Sequence, residues 1–132
     1  MGVPLDYVKI ITYILHMKYS MFIGRWQPWH AGHRWLINQR LNEGKNVLIC
    51  IRDVEKDESN PFTPKEVENQ LNGALIDLVT LGRVKIMIIP DIESVNYGRG
   101  VGYEIIEHVP PPDIHEISAT KIREKITPPR TY

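Results

Sequence analysis

The sequence predicts an α/β fold built on an open parallel sheet, and three observations carry that expectation. Three short apolar runs have strand character, Tyr19 to Gly24, Val47 to Ile51 and Val84 to Ile89, the last two rich in Val and Ile. The segments between them carry apolar residues at helical spacing. Strand, helix, strand, helix, strand in this rhythm means parallel strands joined by right-handed crossovers.

Residues 1 to 16 come first. Val8, Ile10, Ile11, Tyr13, Ile14 and Leu15 make this extension apolar, with Lys9, Thr12 and His16 interrupting. It is too short to span a bilayer and shows no signal-peptide cleavage pattern. That much apolar surface does not stay exposed on a stable monomer, so we expect it to pack on the domain or against a neighbouring subunit. After the first strand, Ala31, Trp35, Leu36 and Leu41 mark a helix over about 31–42, closed by Gly44. After the second, Val67, Leu71, Ala74, Leu75, Leu78 and Val79 mark another over about 64–81, closed by Gly82. Thr63 suits its N-cap, Pro64 its first position, and Glu66 completes a capping box. The last third is less regular. Val95 to Tyr97 reads as a short fourth strand and Tyr103 to His108 as another extended piece. Pro110-Pro111-Pro112 breaks any helix there, and a final helix runs from near Ser118 to about Ile126.

With 132 residues, 42% hydrophobic and 24% charged, the chain reads as one globular domain, neither disordered nor fibrous. Sixteen basic and sixteen acidic residues leave no net charge, which argues against a nucleic-acid partner and leaves only a local basic site open. The lone Cys50 excludes an internal disulfide and a cysteine-based zinc cluster. Set in Val47-Leu48-Ile49-Cys50-Ile51, it reads as a buried thiol, and a reducing, cytoplasmic compartment fits. No membrane association is expected. Trp26, Trp29 and other loop aromatics need cover, which points to a homo-oligomer.

The densest chemical signal is Gly24-Arg25-Trp26-Gln27-Pro28-Trp29-His30-Ala31-Gly32-His33, in the turn between the first strand and the first crossover helix. In open α/β folds, ligands bind at this carboxyl edge of the strands. The helix N-terminus offers free N–H groups and partial positive charge, a phosphate site. Gly24 and Gly32 allow close approach to the backbone. His30 and His33, three apart, point to one side of the first turn, and with Arg25 they suit a polyphosphate. Half of a metal site or a structural cap is the plainer reading of the two histidines, although nothing local completes a metal site. The second signal is Ile117-Ser118-Ala119-Thr120-Lys121-Ile122-Arg123. Ser118 is a good N-cap. Lys121 and Arg123 sit in or near the first turn, where the helix dipole disfavours cations unless an anion docks there. A surface charge pair is the alternative.

Together the two segments resemble the paired HxGH and ISxTxIR signatures of the nucleotidylyltransferase superfamily. The run Gly24 to His33 looks like the GRFQPxHxGH opening of the short-class nicotinamide-mononucleotide adenylyltransferases. Asn60-Pro61-Phe62-Thr63 and Gly102-Tyr103-Glu104-Ile105 are similar to segments of that class, and the resemblance covers about residues 19 to 126. Trp26 stands where Phe is usual and Ala119 where Ser or Gly is commoner. The stretch from Val95 to Gly102 is short for the strand and helix that usually lie between the third strand and the final motif.

The resemblance implies a nucleotidyltransferase that moves a nucleoside monophosphate from an NTP, ATP in preference to CTP, to a small phosphorylated acceptor such as NMN, releasing pyrophosphate. It implies catalytic roles for His30, His33 and Arg123. Nucleotide contacts follow for Gly24, Arg25, Gln27, His30, His33, Ser118, Thr120 and Arg123. Arg52 and Arg99, at a strand end and in a loop, are candidates for the acceptor. Mg2+ would accompany the NTP on phosphate oxygens and water, with no protein ligand. The expected architecture is a Rossmann-like open parallel sheet of about five strands, order 3-2-1-4-5, with helices on both faces. It forms one domain over 1–132, with an extension over 1–16 and a catalytic core over 17–127. A cytidylyltransferase, a phosphopantetheine-type adenylyltransferase and a non-catalytic nucleotide-binding module are the competing readings.

Overall fold

The computed structural model describes Gly2 and residues 4 to 126; residue 127, the expected end of the core, lies outside the described residues. The elements run α1 (Leu5–Leu15), β1 (Tyr19–Gly24), α2 (Ala31–Leu41), β2 (Asn46–Asp53), α3 (Pro64–Ala74), α4 (Ile76–Thr80), β3 (Val84–Pro90), α5 (Pro112–His115) and α6 (Ala119–Ile126). The three strands form one parallel sheet in the order β1-β2-β3, with Phe22 opposite Ile49 and Ile49 opposite Ile86. The expected α/β class and open parallel sheet are therefore present.

The core lies on one face of this sheet. Phe22, Val47, Ile49, Ile51 and Val84 pack with Ile37 and Leu41 of α2, Val67 and Leu71 of α3, and Leu75. Strands in sequential order joined by right-handed crossovers bring successive helices to the same side. Met21 and Met87 point the other way, as alternation requires, and are 56% and 43% exposed. The expectation of helices on both faces is thus corrected at these positions.

The strand count is corrected too. Among the described residues there are three strands, equivalent to the 3-2-1 half of the expected order, and 91–111 holds neither helix nor strand. A further parallel strand needs a crossover of a dozen or more residues before it. Only residues 91–94 separate β3 from Val95, too few for a crossover to a parallel strand over Val95 to Tyr97. Val95, Tyr97, Tyr103 and Ile105 stay exposed there. Pro112, expected only to break a helix, opens the single turn of α5, since proline is tolerated at a first helical position.

The helix expected over 64–81 is divided at Leu75 (φ −118°, ψ 22°), two residues after Gly73, the poorest helix former of the run. Its start is as expected: Thr63 caps Glu66 N–H, and the Glu66 carboxylate returns to Thr63 N–H. The N-terminal extension is helical, and Tyr7, Ile10, Tyr13 and Leu15 of α1 are exposed, so it does not pack on the domain's own surface.

Candidate functional site

The loop after β1 is shaped by an aromatic residue in an unusual conformation. Trp26 takes a left-handed backbone (φ 56°), unfavourable for such a residue by roughly 1–2 kcal/mol. Its indole is buried and its Nε1–H donates to the Cys50 carbonyl at 3.0 Å. A Cβ on Gly24 would lie 2.9 Å from that indole. The protein's own tryptophan therefore lies against the Gly24 backbone.

The loop is then tied to the segment before α3. Arg25 Nη1 donates to Asn60 Oδ1 at 3.2 Å. Gln27 Nε2 donates to the Phe62 carbonyl at 2.8 Å, and its Oε1 accepts Phe62 N–H at 3.0 Å. Gln27 is 3% exposed, so the amide expected to meet a nucleotide is occupied inside the chain. Asn60 is held by Asp57, whose carboxylate accepts its backbone N–H at 2.8 Å and its amide at 3.0 Å. The sequence marks Asn60-Pro61-Phe62-Thr63 only by resemblance, and Asn60 is buried there as the partner of Arg25.

His30 and His33 form a reciprocal cap at the start of α2. His30, in extended conformation, is the N-cap; its Nδ1 accepts Gly32 N–H at 3.0 Å and His33 N–H at 3.3 Å. His33 Nδ1 accepts His30 N–H at 3.2 Å. A Cβ on Gly32 would lie 2.9 Å from the His30 ring, so glycine is required for that ring to fold back over the helix end. The imidazoles stack with centroids 3.6 Å apart and planes inclined by 19°. A ring nitrogen that accepts a backbone N–H carries no proton, so each neutral ring bears its hydrogen on Nε2. Trp26 meets His33 edge-on at 4.9 Å and Trp29 lies 5.3 Å from it. Burial among these rings, with His30 adding to it, pushes the His33 pKa down to about 3; burial also lowers that of His30. At neutral pH the pair is thus two uncharged donors. The structural cap and the donor site are the same feature.

The second motif is brought to this loop. Ser118 Oγ accepts Lys121 N–H at 3.1 Å, the N-cap of α6. Arg123 Nη2 donates to Thr120 Oγ1 at 3.1 Å, and Nη1 donates to the Gln27 carbonyl at 2.6 Å. Gln27, in the loop between Arg25 and His30, and the last helix therefore meet across 96 residues of sequence.

Two hollows adjoin the loop. One, of about 570 Å3, lies at the carboxyl ends of the strands and is lined by Arg25, Arg52, Asp53, Glu55, Asn60 and Asp91. Arg52 pairs there with Asp91 at 2.7 Å. The other, of about 230 Å3, is lined by His30, His33, Trp35, His108, Ile114 and His115. Reading the sequence missed His108 and His115, which the irregular segment carries back to α2 and which no local pattern marks. Arg99 is exposed on that segment and lines neither hollow. Among the described residues, no group of three or more His, Cys, Asp or Glu is arranged to hold a metal, and no helix is long and apolar enough to cross a membrane. Cys50 is free and buried, and burial raises its thiol pKa.

No family model matches the chain, and no solved structure matches it. Curated relatives do. The nicotinamide-nucleotide adenylyltransferase of Methanospirillum hungatei is 38% identical over 61 residues, covering 45% of this chain and 35% of that protein. The protein of that name from Caldivirga maquilingensis is 38% identical over 81 residues, 59% of this chain and 46% of its own length. That from Methanolobus tindarius is 32% identical over 100 residues, 74% of this chain and 55% of its own. The chain spans about half the length of these relatives, or less. In sequence it stands close to the archaeal proteins named nicotinamide-nucleotide adenylyltransferase.

Proposed function

We propose that this chain is a nucleotidyltransferase, moving AMP from ATP to a phosphate-bearing acceptor, NMN in preference to others, with release of pyrophosphate. The observation that carries this reading is the pair of neutral histidine donors at the N-terminus of α2, at the carboxyl edge of a parallel sheet, with Arg25 in the same loop and Arg123 bonded to that loop at Gln27. The names of the relatives support the same reading.

In the reaction, an acceptor phosphate oxygen attacks the α-phosphorus in line, the α–β bridging bond breaks, and the electron pair leaves with pyrophosphate. The protein's part is positioning and charge stabilisation. His30 and His33 donate from Nε2 to the triphosphate, His33 nearest the α-phosphate. Arg123, Ser118 and Thr120 receive the β- and γ-phosphates at the start of α6, and Arg25 holds the donor or acceptor phosphate. Arg52, in the larger hollow, faces the acceptor, with Arg99 a second candidate. Neutral imidazoles and guanidiniums are poor ligands for a hard cation, so Mg2+ would be held by phosphate oxygens and water and would neutralise charge there. Residues 17 to 127 make the catalytic unit, and the reaction belongs to NAD biosynthesis.

An acceptor screen with ATP and CTP, scored by pyrophosphate release, tests this. Release with ATP and NMN supports it, and release only with CTP and an alcohol phosphate replaces the acceptor and the base. One observation favours a non-catalytic nucleotide-binding module: residues 91–111, beside the acceptor hollow, form no helix or strand. With NMN supplied, so that transfer and its reversal can run, such a module would show no exchange of labelled pyrophosphate into ATP.

A further inference from the structure

We infer that Gln27 is a positioning residue, a joint that sets the histidine-bearing loop in register with the segment before α3 and with the last helix; this rests on the transfer reading above. Gln27 has three polar functions engaged with other segments. Its side-chain amide both donates to and accepts from the backbone of Phe62, as a strand neighbour would. Its own carbonyl accepts Arg123 at 2.6 Å. Two residues earlier, Arg25 meets Asn60, two residues before Phe62. The two cross-links match in spacing, so the loop is clamped at two points while Trp26 between them turns into the core.

The plain alternative is a buried polar residue that merely satisfies its neighbours. Against it stands the choice of group. A buried glutamine must find partners for its amide, and an aliphatic side chain would fill the space without that demand. What an amide supplies is direction: one donor and one acceptor, fixed on one peptide unit. Pro28 and Trp29 alone separate this anchor from His30, so slack at Gln27 becomes displacement of the imidazoles. A misplacement of about 1 Å near the reacting atoms lowers turnover by about a hundredfold.

The test compares wild type with Gln27→Met, which keeps length and loses both amide hydrogen bonds, and Gln27→Glu, which keeps only the acceptor. Circular dichroism and Tm establish folding. Ring 15N shifts of His30 and His33 are recorded without ligand, and kcat and KM are measured with ATP and NMN. In folded Gln27→Met we expect kcat about a hundredfold lower, KM for ATP within about threefold, and the ring nitrogens shifted from a fixed Nε2–H pattern toward an average of both tautomers. Gln27→Glu, whose second oxygen faces the Phe62 carbonyl that Nε2 met, should lower kcat at least as far. Unchanged ring shifts with kcat near normal would overturn the proposal, and so would a raised KM with kcat kept, which marks a nucleotide contact. If Gln27→Met does not fold, Gln27→Glu decides by the same readouts; if neither folds, Gln27 serves the fold and the proposal fails. Should wild type transfer nothing, the nucleotidyltransferase reading falls alone, because the ring shifts still judge Gln27.

Discussion

His30 and His33 cap each other: the Nδ1 of each accepts the backbone N–H of the other, and the two rings stack 3.6 Å apart. The exchange fixes both tautomers and leaves two Nε2–H groups at the start of α2. His33→Ala should lower kcat by about 10² to 10³ with a modest change in ATP affinity, since the lost donor acts on charge that develops during transfer. Steady-state kinetics with calorimetric ATP binding checks this; near-normal turnover would remove His33 from its proposed role.

The same burial makes the protein sensitive to acid. Unfolded, His33 takes up a proton near its ordinary pKa of 6.5; folded, it does so only near 3. Between those values the unfolded chain binds more protons, so stability falls as pH drops from about 6.5 toward 3. Tm should therefore decline from pH 7 to pH 4.5, and decline less in His33→Asn, which can still accept the N-cap N–H. An identical decline in both proteins would show that His33 is not the group responsible.

Arg123→Ala should raise the dissociation constant for ATP by about tenfold or more while changing that for AMP by less than about threefold, because charge-assisted contacts to the terminal phosphates are lost. Calorimetry with both ligands decides it. Equal losses would mean that Arg123 acts only through Gln27.

Gly24→Ala should destabilise by about 1–3 kcal/mol, since the new methyl meets the indole of Trp26 at 2.9 Å. Gly73→Ala, where nothing lies within 4 Å, should instead stabilise by about 0.5–1 kcal/mol through helix propensity. Urea unfolding of the two variants gives the comparison, and a stabilised Gly24→Ala would contradict the packing described.

A chain beginning at Met17 should keep ATP turnover, because α1 contributes no group to either hollow. Loss of turnover in a truncated protein that still folds, with unchanged mass in light scattering, would tie α1 to the site.

What was legible in the sequence was local. The three strands, the caps at Thr63 and Ser118 and the donor-rich start of α2 are written in residues a few positions apart. Two things were not. Val95 to Tyr97 looks like a strand, but pairing depends on a partner and on enough chain to reach it, and neither is encoded in three residues. Gln27 looks like a ligand contact because it sits among Arg25 and His30; its partner Phe62 is 35 residues away, and no local pattern announces a pairing of side chain with distant backbone. The left-handed Trp26 is hidden for the same reason, since its indole partner, the Cys50 carbonyl, lies on another strand.

The bond from Arg123 to Gln27 has a consequence for the order of assembly. Tyr19 pairs with Asn46 and Val47 with Val84, whereas Arg123 must return across 96 residues. For a flexible chain, closing a loop of that length carries a length-dependent entropy cost of about 4 kcal/mol. The sheet can form from near neighbours, and the last helix docks onto a body already made. Regions secured late and by few contacts open first. Backbone amides of 119–126 should therefore exchange with solvent well ahead of those of 46–53, and bound ATP should slow that exchange most where Arg123 is held.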